Sequence, residues 1–223
     1  MKYLLWFFIY SFFGWLMEVC VAFRNEGKFV NRGFLIGPYC PIYGFGCLMI
    51  IIFLDGYKDD LLVLFVMAAL LCGTLEYLTS YLMEKIFRAR WWDYSEKKFN
   101  INGRICLDTL IPFGILGCLM LRIIHPKVIE ISSMINHNIL YTLVVVVTTL
   151  FVIDNIVTFE IMNNIKNEFN SVRKDYTIKI RNKVDEIIRG KSKFHQRIMD
   201  AFPNYKMFQK NIDLRGKFKR KKK

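Results

Sequence analysis

Histidine is scarce in this chain: only His125, His137 and His195 occur in 223 residues. No HExxH, nucleophile elbow or Ser/His/Asp arrangement can be assembled around them, which excludes the common hydrolase and zinc-protease chemistries. A G-x-x-x-x-G-K-[ST] loop is also missing, so this chain does not cradle ATP phosphates in the P-loop manner. The six cysteines (Cys20, Cys40, Cys47, Cys72, Cys106 and Cys118) contain no CxxC and no Cys/His ligand spacing. They read as free thiols in apolar surroundings. Asp55, Asp59 and Asp60 look like a metal cluster but fall in a short polar loop, where solvated charge accounts for them. Neither a metal nor a cofactor is expected. Acidic residues are few as well, with 19 Asp+Glu against 32 Lys+Arg, a formal net charge of +13.

What the chain has in abundance is apolar surface: 54% of residues are hydrophobic, including 20 Phe, 11 Tyr and 4 Trp. The two characters are kept apart along the sequence. Residues 162–223 hold 19 of the 32 basic residues and 6 acidic ones, whereas 1–161 hold nearly all the long apolar runs. This partition excludes a disordered chain, a collagen-like chain and an ordinary soluble domain. It predicts a transmembrane domain over 1–161 and a basic amphipathic cytoplasmic tail over 162–223.

A spanning helix needs about 20 mostly apolar residues. Five segments qualify: 3–23, 35–54, 61–87, 105–125 and 138–160. The second opens on Gly37, Pro38 and Pro41, so it is expected to be broken or re-entrant, which is tolerated only where backbone is buried in protein or lines a wet cavity. The fold expected is all-α and polytopic. Segment one is read as a retained helix, since its apolar run is too long for a signal peptide and no A-x-A site follows. Loop 24–34 carries Arg24, Lys28 and Arg32; loop 88–104 carries Arg88, Arg90, Lys97, Lys98 and Arg104. With the tail, these fall on one side of a five-span chain. The positive-inside rule then puts the N-terminus outside and the C-terminus in the cytoplasm.

Ionisable residues within spans are costly and mark function. Glu18, Glu76, Glu84, Asp108 and Asp154 all fall in the inner half of a span or near its middle. That asymmetry predicts a polar cavity opening toward the cytoplasm, with Glu76 deepest and suited to a cation or a proton. Gly73, Glu76, Ser80 and Glu84 share one helical stripe, as do Tyr10, Gly14 and Glu18. Arg32 and Arg104, from the two inner loops, are the expected partners of these carboxylates, because Arg forms bidentate pairs. Tyr39 and Asn102 complete the candidate set.

Two segments stand out. Residues 31–46 crowd Gly33, Gly37, Gly44 and Gly46 with Pro38 and Pro41. Residues 88–107 contain Trp91-Trp92 beside Arg, a composition that fits membrane-interface anchors. The chain here resembles the ABC-transporter type IV (CmpB-like) family of bacterial integral membrane proteins. The resemblance rests on Gly14-Trp15 with Glu18, Asn31-Arg-Gly-Phe, Gly37-Pro-Tyr-Cys-Pro-Ile-Tyr-Gly44 and Thr74-Leu-Glu76. It continues through Trp91-Trp-Asp-Tyr94 and Asn102-Gly-Arg-Ile-Cys-Leu107, and covers roughly residues 6–125. It implies a permease-like protein of the bacterial cell membrane and carries over no catalytic residues. Any ATPase would be a separate subunit.

The tail reads as a helix over 161–189, with apolar positions at Ile161, Ile165, Phe169, Val172, Tyr176, Ile180, Val184 and Ile187, stopped by Gly190. A shorter amphipathic stretch comes next around Phe194, Ile198 and Phe202, and residues 215–223 form a disordered basic end. Anionic inner-leaflet lipids are its expected partner. Self-association, which would make a homo-oligomer, is the alternative; no motif supports nucleic acid. The function expected is a non-enzymatic membrane transport component of unknown substrate. Its rivals are a scaffold or accessory protein acting through the tail, and an enzyme acting on lipid headgroups.

Overall fold

A computed structural model describes residues 1–172 together with 197, 198, 201, 206 and 207. The described chain is mostly helical. Four helices are long and apolar enough to cross a membrane: α1 (Lys2–Glu26), α3 (Leu61–Phe87), α4 (Leu107–Met134) and α5, whose apolar part is His137–Asn167. Helix α5 runs on to Val172. Helix α2 (Pro41–Leu54) has 14 residues and a short 3-10 turn, Asp55–Tyr57, at its end. At 1.5 Å per residue α2 spans about 21 Å, short of the ~30 Å hydrocarbon thickness. The rest of the expected tail helix, Gly190, Phe194, Phe202 and 215–223 lie outside the described residues.

The helix ends obey local chemistry. Asp60 caps α3 by accepting from the Val63 N–H at 3.0 Å. Gly27 ends α1 in the left-handed region at φ 69°. Pro41 occupies the first turn of α2, where its missing N–H costs nothing. Helix α4 continues past 125, the expected end of the fourth span, and runs through Pro126. A π-helical turn, Met120–Ile124, immediately precedes the proline. That turn shifts the hydrogen-bond register, so the missing donor of Pro126 no longer breaks the helix.

The second apolar segment becomes helical only at Pro41. The Cys40 N–H donates to the Ser11 carbonyl at 2.9 Å, so α2 starts level with the middle of α1. Residues 27–40 therefore run back into the bundle by about 22 Å, the rise from Ser11 to Glu26. The 88–106 connection does the same: Thr109, in the first turn of α4, reaches Glu76, eleven residues before the end of α3. Two non-helical loops thus fill the half of the bundle that carries Arg24, Lys28, Arg32, Arg88, Arg90 and Arg104. We call this the basic end.

Helices α3 and α4 share the largest interface, α1 packs on α2, α2 reaches α3, and α5 touches chiefly α1 and α3. At the end away from the loops, Trp6, Tyr10, Ile50, Leu54, Leu64, Ala68, Met120 and Leu121 form one apolar core. At the basic end a second core joins Phe87, Ala89 and Trp91 to Met162, Ile165 and Ile198. There Ala89–Arg90 pairs antiparallel with Lys206–Met207, a two-residue ladder. The α1–α2 crossing depends on Gly44, where a Cβ would lie 2.6 Å from the Phe7 carbonyl oxygen and overlap Ser11 Oγ. A methyl forced into such a contact costs about 1–3 kcal/mol. Gly44→Ala should therefore lower the thermal midpoint of the detergent-purified protein. Gly56→Ala, with open space around it, should leave that midpoint unchanged.

Candidate functional site

The polar residues of the spans meet in three clusters, each built on one of the two inserted loops. The first rests on a hairpin. Ile101 and Ile105 form an antiparallel bridge around Asn102-Gly103, whose φ values are 54° and 67°. The Arg104 N–H closes the turn on the Ile101 carbonyl at 3.0 Å. Two consecutive positive φ angles suit Asn-Gly at the centre of the turn, in a three-residue hairpin loop that Arg104 completes. The turn carries Arg104 into the protein, where it is 7% exposed. Its Nη2 lies 3.0 Å from Glu84, and its Nη1 donates to Ser80 Oγ at 3.1 Å. The guanidinium stands 5.7 Å from the ring centre of Tyr77 and 5.5 Å from that of Tyr81. Glu84 also accepts from Arg90 Nε at 3.0 Å, and Arg90 lies 3.5 Å from Asp93. Asn102 Nδ2 donates to the Tyr77 hydroxyl at 2.9 Å. Two guanidinium groups face two carboxylates, so this cluster is neutral.

The second cluster centres on Asp154 of α5. Its carboxylate accepts from the Ile36 N–H at 3.0 Å and the Gly37 N–H at 2.7 Å. It also accepts from the Tyr39 hydroxyl at 2.7 Å and Thr158 Oγ1 at 2.9 Å. Asn31 completes the loop: its Oδ1 accepts from Trp15 Nε1 and the Gly33 N–H, and its Nδ2 donates to the Ile36 carbonyl. On the other side, Arg197 donates to the carbonyls of Gly33, Phe34 and Leu35 at 3.3, 2.9 and 2.8 Å. Asp154 thus serves first to satisfy backbone donors that have no water to turn to.

The third cluster holds Glu18 and Glu76. The Tyr43 hydroxyl donates to Glu18 Oε1 at 2.5 Å. Glu76, 7% exposed, accepts from the Tyr94 hydroxyl and from Thr109 Oγ1, both at 3.3 Å. The two carboxylates are close enough to act on each other electrostatically. Among the described residues neither forms an ion pair, whereas Glu84, on the same helix as Glu76, forms two. Burial first, and the Glu76 carboxylate second, push the Tyr94 hydroxyl well above its usual range, so Tyr94 remains a donor at neutral pH.

The family model described as "Putative ABC-transporter type IV" matches residues 5–159. The chain belongs to that family. It is thus a transport-related, multi-pass membrane protein. No curated protein and no solved structure matches the chain at a significant level. The matched stretch of this ABC-transporter type IV member contains all three carboxylate clusters and ends within α5, five residues past Asp154. Arg197 lies beyond it.

Several candidates of the ABC-transporter type IV chain sit differently from the sequence expectation. Arg32 does not reach the span carboxylates: it pairs with Glu26 at 3.4 Å and donates to the Ala201 carbonyl at 2.8 Å. Asp108 is exposed and pairs with Lys97 at 3.3 Å. Trp91 is 5% exposed, packed on Phe34 at 5.3 Å and within the basic-end core; it is not an anchor at the headgroup level. Trp92 donates from Nε1 to the Arg104 carbonyl at 3.0 Å, which braces the hairpin. The ring pair lies inside because the 88–106 loop folds into the bundle instead of lying on it. All six cysteines are free, and Cys20 is exposed. From sequence, Asn31, Tyr43 and Tyr94 stood out only as motif residues and not as site candidates, and Arg197 and Thr109 did not stand out. For the hairpin a signal existed: Asn-Gly between two isoleucines.

Glu84→Gln removes one carboxylate shared by two inward-facing guanidinium groups, which should destabilise the protein by about 3 kcal/mol. The check is the thermal midpoint in detergent. Glu76→Gln, at a carboxylate with no cationic partner among the described residues, should shift it far less.

Proposed function

We propose that this chain is the membrane-embedded, non-enzymatic component of a transporter, and that the Glu18–Glu76 pair is its proton- or cation-handling site. The observation that carries this reading is the contrast between the clusters. Glu84 is neutralised by two arginines, and Asp154 is saturated by backbone and hydroxyl donors. Glu76 is buried and Glu18 half-buried, and both have neutral hydroxyl donors for company. Two carboxylates so placed cannot both be charged without cost, so a proton or a cation is the natural third party. Tyr94 and Thr109, which approach from the 88–106 loop and the first turn of α4, are placed to release or admit it from the basic end. In this reading the basic end faces the cytoplasm of a bacterial cell, the N-terminus is outside, and a cavity opens between the two inserted loops.

The chain carries no P-loop, so an ATP-driven cycle would require a separate ATPase subunit. The basic residues of the tail would hold anionic inner-leaflet lipids. Purification in mild detergent with mass spectrometry of co-purifying proteins tests the partner. A stoichiometric ATP-binding subunit is expected; its absence from a preparation that retains lipids would leave ion coupling as the energy source. The site is tested in proteoliposomes carrying the purified complex and a luminal pH dye. Glu76→Gln should abolish carboxylate-dependent proton or cation flux while leaving the thermal midpoint close to wild type. Unchanged flux in Glu76→Gln, with wild-type flux present, would reject the site.

A scaffold acting through its tail is favoured by the charge of 162–223, with 19 basic residues. Removing all of 162–223 would not isolate that role, because Met162, Ile165 and Ile198 belong to the basic-end core. Truncation after 207 keeps that core and removes eight basic residues, including the run at the C-terminus.

A further inference from the structure

The loop that leads into α2 is held by two residues of opposite charge from distant parts of the chain. Asp154 takes the N–H groups of Ile36 and Gly37. Arg197 gives its guanidinium hydrogens to the carbonyls of Gly33, Phe34 and Leu35. Five consecutive residues, 33–37, are therefore clamped between one anion and one cation, and Asp154 acts electrostatically on Arg197 across the loop. Neighbouring side chains support both ends of the clamp. Ile198, 3% exposed, is packed in the basic-end core, and Ala201, 0% exposed, is held through its carbonyl by Arg32. On the other side, Tyr39 and Thr158 fix the Asp154 carboxylate.

The start of α2 lies immediately downstream of the clamped residues. Three residues beyond Gly37 comes Cys40, 8% exposed, whose N–H rests on the Ser11 carbonyl. Three further on is Tyr43, the donor to Glu18. We propose that Arg197 is a positioning residue: with Asp154 it sets the 33–37 loop, and through the loop it sets the first turn of α2 and the Tyr43 hydroxyl. The tail segment that carries Arg197 and Ile198 is thereby linked to the carboxylate pair, the site assigned under the proposed function, over a path of covalently joined residues. A tail that leaves its dock withdraws three hydrogen bonds from the loop, and the beginning of α2 loosens. Lysine cannot replace arginine here, since a single ammonium group does not present a planar fork to several carbonyls.

The test does not depend on any transport activity, so its outcome is separate from that of the proton- or cation-handling reading. Full-length protein is prepared in native-lipid nanodiscs with Cys40 as its only cysteine, the other five replaced by serine. A parallel chain keeps only Cys106, which is 1% exposed and lies on the other inserted loop. The rate of modification by a small maleimide reports local opening. Loss of the three hydrogen bonds, each at the low end of its net worth, corresponds to roughly tenfold more opening. Arg197→Ala should therefore raise the Cys40 rate about tenfold and leave Cys106 unchanged. Asp154→Asn should act in the same direction, and the double variant should fall well short of the product of the two single effects. Should Arg197→Ala fail to accumulate, Arg197→Lys is the substitute, with a smaller rise confined to Cys40. A Cys40 rate within twofold of the parent in both Arg197 variants would overturn the proposal. So would an equal rise at Cys106, which would mean that Arg197 holds the whole bundle end, or singles that multiply without coupling.

Discussion

Backbone that leaves the helical state inside a membrane protein must find hydrogen-bond partners within the protein. Each N–H or C=O left bare there costs several kcal/mol. This chain inserts two such stretches, 27–40 and 88–106, into one half of its bundle. The polar side chains of that half are largely explained by this one requirement. Asn31 alone engages a backbone donor and a backbone acceptor of the first loop; Asp154 takes two of its N–H groups and Arg197 three of its carbonyls. In the second loop, Trp92 supports the Arg104 carbonyl and Asn100 accepts the Gly103 N–H. A polar residue in an apolar helix is therefore not by itself a mark of chemistry. It marks chemistry only after the backbone has been served.

That ordering separates the carboxylates. The Glu84 cluster has formal charges that cancel, and aromatic rings flank Arg104. Coulomb attraction between close opposite charges in a low-dielectric surround outweighs the desolvation of such groups only when hydrogen bonding is complete, and here Ser80, Asn102 and Asp93 complete it. The Glu18–Glu76 cluster has hydroxyl donors and, among the described residues, no cation. Hydroxyl donors stabilise a carboxylate by far less than a guanidinium does. This cluster is thus the one whose carboxylates have no counter-charge among the described residues.

The helical architecture was legible in the sequence because hydropathy reports it directly: four long apolar segments became the four long helices. The broken character of the second segment was legible in Gly37, Pro38 and Pro41. Its depth was not, because nothing in a linear apolar run says that 35–40 will stay non-helical and that α2 will begin level with Ser11. The same blindness affected Trp91. Tryptophan beside arginine at a span end reads as an interfacial belt, yet here the connection folds inward and the ring becomes core. The fourth helix outran its expected end at 125, with a π turn just before Pro126. Of the candidate residues, Glu84 and Arg104 meet in space, whereas Arg32 meets Glu26. Arg197 carried no local signal at all, being one basic residue among 19 in 162–223. Only tertiary placement distinguishes it from its neighbours.

Helix α5 shows why such polar contacts carry unusual weight here. It is the least enclosed of the four long helices, with 17% of its apolar window buried against 39% for α1. Among lipid tails an apolar helix gains little by leaving lipid for protein, so apolar area does not fix its position. Specific contacts along its length do. Leu140 and Val144 sit against Leu5 at one end, Asp154 is bound to the loop near the middle, and Met162 and Ile165 enter the core at the basic end. The middle attachment is polar and is made to a loop, whereas Lys166 Nζ donates to the Ile86 carbonyl of α3 at the basic end. A displacement of α5 is therefore felt first by residues 36–39, and from there by the first turn of α2 that faces Glu18. The chain has placed its least enclosed helix and the dock of its tail on the same short loop. That loop lies directly upstream of Tyr43, and so of the two inward carboxylates that lack a cationic or backbone partner among the described residues.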